Sequence, residues 1–200
     1  MKLYYSLASP YVRKVRMTAL ELGLDDRLEL VLTDAWTVTE GLPQDNPLCK
    51  VPTLVLDDGT PLFDSPVICE YLNSLAGGTL FPPDGPDRWT ALRLQALADG
   101  LCDAAIARRL ETLRPESLRS ATWIARQQAA MVRALDALEG RIEELSGAVT
   151  IGTLAVATVL GYLDLRFAED QWRVGRPRLA AWFVEAGRRP SFEVTRPPAP

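Results

Sequence analysis

The chain has 200 residues, 48% of them hydrophobic, and a formal net charge of −4 with no histidine. It is long enough to bury a core without staples, and it lacks the basic excess that a nucleic-acid surface needs. Three isolated cysteines (Cys49, Cys69 and Cys102) with no C-x-x-C pair argue against a disulfide framework, and the missing histidines remove both the usual zinc spacings and the commonest general base.

In chain order, Lys2 leads into a short strand pattern, KLYY at 2–5, and not into an apolar leader. The expectation is a cytoplasmic protein of a reducing compartment. A helix is predicted over 10–22, because Val12, Val15, Ala19 and Leu20 fall on one stripe. Ser9 suits its N-cap, Pro10 its first position and Gly23 its stop. LELVL at 28–32 reads as a second strand, so the unit is β-α-β with a parallel pair. Residues 33–49 read as a loop with one irregular helix. Strands are predicted over 53–56 and 60–63, joined at Asp58-Gly59, a strong hairpin signal. Asp64-Ser65-Pro66 repeats the cap-then-proline signature, with a helix following to about Leu75.

The Gly/Pro-rich stretch 77–87 is the predicted connector between a domain over 1–76 and one over 88–200. Everything beyond it reads as helical: about 88–113, 121–145, 150–168 and 177–188, with a tail turn near 191–195. Residues 145–163 carry no charged side chain, but serine, threonine and glycine dilute the run, so a buried central helix is expected and not a membrane span. The final PPAP cannot continue a helix.

Four stretches together give the chain a likeness to a known family: YYSLASPYVRKVRM, NPLCKVPTLVLDDGTPLFDSPVICEYL, TIGTLAVATVLGYLDLR and RPRLAAWFVEAGRRPSF. In this order the chain resembles the cytosolic glutathione S-transferases, in particular bacterial serine-type members related to the theta, omega and beta-like classes. The resemblance implies an α/β thioredoxin-like N-terminal domain (βαβ-ββα) followed by an all-α domain. It also implies glutathione as co-substrate without a metal, a small electrophile as second substrate, and a homodimer with no nucleic-acid or membrane partner. A detoxification role follows from the same likeness. Its chemistry would be conjugation, addition or peroxide reduction. The alternative is a non-catalytic glutathione-binding or scaffold protein of the same fold.

By resemblance, Ser9 matches the thiol-activating position, and the physics is compatible with that role. A free thiol has a pKa of about 8.5, and lowering it by two units takes about 2.7 kcal/mol. One hydrogen bond to a charged group supplies about 1.5–3 kcal/mol, and a helix N-terminus about 0.3–1 kcal/mol more. The serine need only donate to sulfur; it need not lose its proton. As a plain N-cap it would do neither, and Tyr4, Tyr5 and Ser6 are rival donors near the first strand. Tyr4 and Tyr5 fall on opposite strand faces, which sends at least one of them to the core.

The family has a cis proline where Pro52 stands, and a peptide ligand could pair with the Val51 backbone as an added strand. Lys50 could meet a glutathione carboxylate or face water. Asp64 can pair with the γ-glutamyl ammonium, and the Ser65 hydroxyl with the helix N–H groups can hold the adjacent carboxylate. The family more often has glutamate where Asp64 stands. For the second substrate the resemblance points to Tyr11, Cys102, Ala105, Arg108 and Arg109, and for a contact across a dimer to Asp99. The family's central helix usually opens with a Ser/Thr–Asp capping pair; here Thr150 is followed by Thr153, which predicts a weaker cap.

Overall fold

The computed structural model describes residues 1–198; the last two positions of the PPAP run lie outside them. The chain divides into two compact units, Met1–Arg88 together with the segment from Arg189, and Trp89–Arg188.

The first unit is built on a four-stranded mixed sheet of β1 (Lys2–Tyr5), β2 (Glu29–Leu32), β3 (Thr53–Val55) and β4 (Pro61–Leu62), in the order β2-β1-β3-β4. The β1–β2 pair is parallel and the other two are antiparallel. Alternation along β1 sorts its side chains by face. Leu3 pairs with Leu54 across the sheet, and both are fully buried. Tyr4, on the opposite face, clusters with Val55 and with Leu42 from the short helix α2 (Leu42–Asp45).

Helix α1 (Pro10–Glu21) starts where the chain predicts, with Ser9 as N-cap and Pro10 at the first position. It buries Val12, Val15, Met17 and Ala19 and packs against α3 (Ser65–Ala76). Gly77 ends α3 at φ 60°, a left-handed turn that suits glycine, and the Gly78 N–H returns to the Asn73 carbonyl.

The second unit holds the rest of α4 (Pro86–Thr112), then α5 (Ala121–Gly140), α6 (Ile151–Arg166) and α7 (Pro177–Ala186). The predicted helix over 121–145 breaks at Gly140–Arg141, and Ile142–Leu145 forms a separate tighter turn. Helix α6 is buried on all sides from Ile151 to Leu160. A Cβ added at Gly152 would lie 2.6 Å from the Ala91 carbonyl oxygen and 2.7 Å from Leu94 Cβ, so α6 and α4 meet with no room for a side chain. The cap of α6 is a complete reciprocal box made of hydroxyls: the Thr150 N–H donates to Thr153 Oγ1 at 2.9 Å, and the Thr153 N–H to Thr150 Oγ1 at 3.3 Å. The charge a carboxylate would bring is missing, but every bond of the motif is made. Among the described residues no helix is long and apolar enough to cross a membrane.

After α7 the chain returns to the first unit, where α8 (Pro190–Val194) packs on α1. Glu21, at the end of α1, accepts two hydrogen bonds from the Arg189 guanidinium and one from the Ser191 hydroxyl. The Arg189 bonds, with the Ser191 bond behind them, hold the Glu21 carboxyl below its ordinary 4.5 despite its burial. A depressed folded pKa contributes stability that is present above the unfolded value and lost as pH falls through the folded one. Wild type is therefore expected to be more stable than Glu21→Gln at pH 7, and the difference to shrink as pH falls below about 4.5. Urea titrations across that range measure it; a difference independent of pH would refute the linkage.

Candidate functional site

The sheet register assembles the site. Tyr4 stands opposite Thr53, and Leu54 opposite Leu62. The C-terminal end of β1, the N-terminal end of β3 and the C-terminal end of β4 therefore share one edge. The turn Ser6–Ser9, the segment Lys50–Pro52 and the pair Asp64–Ser65 all emerge there.

Ser9 has extended backbone geometry, and its Oγ accepts the Val12 N–H at 3.3 Å while its carbonyl accepts the Arg13 N–H. Capping uses the oxygen as an acceptor and leaves the hydroxyl proton without an acceptor among the described residues. Ser9 lines a pocket of about 350 Å³, open solvent at its mouth included, at the head of α1. Tyr5 and Ser6 line the same pocket. Tyr4 does not: its hydroxyl donates to Asp45 Oδ2 at 2.7 Å and accepts from Lys2 Nζ at 2.7 Å, on the α2 side of the sheet.

The Val51–Pro52 peptide is cis. Among the described residues nothing bonds the Val51 N–H or carbonyl, and the exposed Lys50 ammonium has no acid partner. The loop that carries them is pinned by Asn46, which is 1% exposed. Its Nδ2 donates to the Lys50 carbonyl at 3.2 Å and to Thr53 Oγ1 at 2.8 Å, and its Oδ1 accepts the Leu48 N–H. Thr53 Oγ1 in turn donates to the Lys50 carbonyl. Sequence reasoning passed over Asn46; the Asn-Pro dipeptide at 46–47 was its only signal.

Asp64 is exposed, sits at the N-cap of α3, and makes no side-chain cap bond. Ser65 is 1% exposed, yet its hydroxyl bonds none of the described residues. A helix start leaves its first N–H groups free, so this corner holds a carboxylate, a hydroxyl and unpaired amides side by side.

In the second unit, Asp99, Cys102, Ala105, Arg108 and Arg109 all lie on α4, but they do not share one role. Arg108 makes a two-point ion pair with Asp170 and stacks over the Phe167 ring, 4.9 Å from its centroid. That commits it to structure. Arg109 and Cys102 lie within electrostatic reach of Tyr162 on α6, along with Arg166. Burial raises the Tyr162 phenol, and the two arginines pull the other way. Ala105 is fully buried between them in sequence, and Asp99 is half-buried. Tyr11 is half-buried on α1. Tyr162 and Arg166 were not foreseen, because the segment reads from sequence as a buried central helix and nothing local shows which neighbours its last turns meet. Among the described residues no three acids or cysteines are grouped as a metal site would need.

Residues 8–75 match the family profile "Glutathione S-transferase, N-terminal domain", and residues 121–184 match "Glutathione S-transferase, C-terminal domain". The uncharacterized GST-like protein YibF of Escherichia coli K12 is 35% identical, over 99% of both chains. A crystal structure of a glutathione transferase family member from Pseudomonas fluorescens Pf-5, with bound glutathione, is 43% identical with a TM-score of 0.95, covering 99% of each chain. A glutathione S-transferase from Methylobacillus flagellatus KT, also with glutathione bound, is 35% identical with a TM-score of 0.92, over 98% of this chain and 99% of that one.

The pinning of Lys50 carries its own expectation. Asn46→Ala strips the Lys50 carbonyl and Thr53 hydroxyl of a buried donor, which costs about 1–3 kcal/mol. The urea midpoint should fall accordingly; an unchanged midpoint would show that the loop holds itself.

Proposed function

Because this chain belongs to the glutathione S-transferase family, we propose that it binds glutathione at the edge of the first unit and activates the thiol for attack on a small electrophile. The observation that carries this reading is the set of polar groups left without partners along one sheet edge. Each has a counterpart on the tripeptide. The Asp64 carboxylate meets the γ-glutamyl ammonium, and the Ser65 hydroxyl with the α3 amides meets the neighbouring carboxylate. The Val51 backbone pairs with the cysteinyl backbone as an added strand, and Lys50 meets the glycyl carboxylate. On this proposal glutathione binds within residues 1–76, and the second substrate meets residues of 88–200 together with side chains of α1.

In this reading the sulfur comes to Ser9, which keeps accepting from Val12 and donates a hydrogen bond from its hydroxyl to the thiolate. A hydroxyl that accepts one hydrogen bond donates a stronger one, and the helix dipole acts in the same sense. Tyr5 and Ser6 are the remaining rival donors; they lack the position on the helix axis. Tyr11, Cys102, Ala105 and Arg109 are proposed for the electrophile, with Arg108 supporting them through Asp170, and Asp99 for a contact across a homodimer. The family relatives with bound glutathione support the choice of co-substrate.

Two variants test the reading through separate observables. Ser9→Ala is expected to raise the pKa of bound glutathione by about one unit or more, since about 1.4 kcal/mol stands behind each unit. Ultraviolet absorbance of the thiolate against pH measures this. A bound-thiol pKa equal to that of free glutathione in wild type would replace the transferase with a glutathione-binding or scaffold protein. Asp64→Asn is expected to weaken glutathione binding roughly tenfold or more, as loss of a charge-assisted bond does. Calorimetry measures it, and retained affinity would remove Asp64 from the site.

A further inference from the structure

The pocket at Ser9 has a charge that a thiolate alone does not require. Among the described residues its lining includes three arginines, Arg13, Arg16 and Arg196, and no acid. Arg13 is 7% exposed. Among the described residues its guanidinium meets neutral partners: Thr195 Oγ1 at 3.3 Å, the Phe192 carbonyl at 2.9 Å, and the Phe192 ring 3.9 Å below Cζ. No carboxylate among the described residues lies within ion-pair distance of it. Burial, with the like charge of Arg196 adding to it, pushes its pKa down to about 10. Arg16 reaches Asp25 through one nitrogen at 3.4 Å, and its Nε is buried with no hydrogen-bond partner. Arg196 meets Glu193 only at 4.0 Å, with both side chains largely in water.

Buried charge is costly unless it is paired. Here three cations converge on one cavity, and their combined charge exceeds what the two flanking acids offset. The rest of the lining includes Leu7, Val12 and Val194, which suit a hydrocarbon. Ser9 and Arg13 are four residues apart, one helical turn, so both serve a ligand at the same end of α1. The fork of a guanidinium fits a carboxylate in two-point geometry.

We propose that this pocket receives a carboxylate carried on the second substrate, joined by a short alkyl or aryl spacer to the carbon the sulfur attacks, so that the protein selects acidic electrophiles. The inference rests on the reading of Ser9 as the thiol's partner. Glutathione's own carboxylates are not involved, since Lys50 and the α3 amides take them in that reading. Arg13, Arg16 and Arg196 are then the residues that set specificity.

The test compares two preformed conjugates, S-(4-carboxybenzyl)glutathione and S-(4-carbamoylbenzyl)glutathione, by calorimetry at matched ionic strength. They share the glutathione moiety and differ only in charge at the far end. The acid is expected to bind at least about tenfold more tightly, the scale of one charge-assisted hydrogen bond. Arg16→Gln and Arg196→Gln together should reduce that preference to less than about threefold while free glutathione binds as before; neither side chain forms the Glu21 clasp that holds α8. Equal affinities for acid and amide in wild type, with glutathione still bound, overturn this inference alone. If glutathione itself fails to bind, the reading beneath it falls, and free benzoate against benzamide decides the pocket. A rise in melting temperature with benzoate only, lost in the double variant, upholds the anion site, and no rise overturns it. Arg13→Gln is a weaker probe, because it also unties Phe192 and Thr195.

Discussion

The antiparallel pairing of β1 with β3 is the constraint on which the rest of the first unit depends. With Tyr4 set opposite Thr53, the turn into α1 and the loop before β3 leave the sheet side by side. Slipping the pair by one residue would turn Tyr4 toward the helices and Leu3 toward α2, exchanging the two faces. It would also separate Ser9 from Val51. The fully buried Leu3–Leu54 pair and the Tyr4–Leu42–Val55 cluster forbid that slip from both sides of the sheet. Core packing and site assembly are thus the same register.

Within that frame the groups of the proposed site are under-committed. Ser9 uses one lone pair to cap α1 and keeps its proton in reserve. Asp64 sits at a helix start without capping it. The Ser65 hydroxyl bonds none of the described residues, and Val51 offers both backbone groups to the side. Stability is supplied nearby by residues that are fully engaged: Asn46 beneath Lys50, Asp45 and Lys2 around Tyr4, and Glu21 with Arg189. Structural and receptive polar groups alternate along a few residues of chain, and their hydrogen bonds tell them apart.

The sequence announced those elements whose signals are local. Ser9-Pro10 gives the start of α1, Asp58-Gly59 the hairpin and Asp64-Ser65-Pro66 the start of α3, because capping and turn chemistry act over a few residues. The opposite faces of Tyr4 and Tyr5 follow from strand alternation, although which of them enters the core depends on what α2 brings against the sheet. Features that depend on distant chain were hidden. Nothing near Glu21 indicates Arg189, and nothing near Arg13 indicates Phe192 and Thr195. Nothing local in α6 marked Tyr162 and Arg166 as neighbours of Arg109. At Thr153 a hydroxyl completes the same reciprocal bonds as a carboxylate, so the cap forms without the charge.

Helix α1 is gripped at its far end by Glu21 and along its flank by α8, while its near end faces the proposed chemistry. A helix is stiff over twelve residues, so it works as a lever whose fulcrum lies in the last stretch of the chain. Substitutions at 189 and 191 would then reach the proposed chemistry through the helix, whereas those at 194–196 would act on the Ser9 pocket by direct contact.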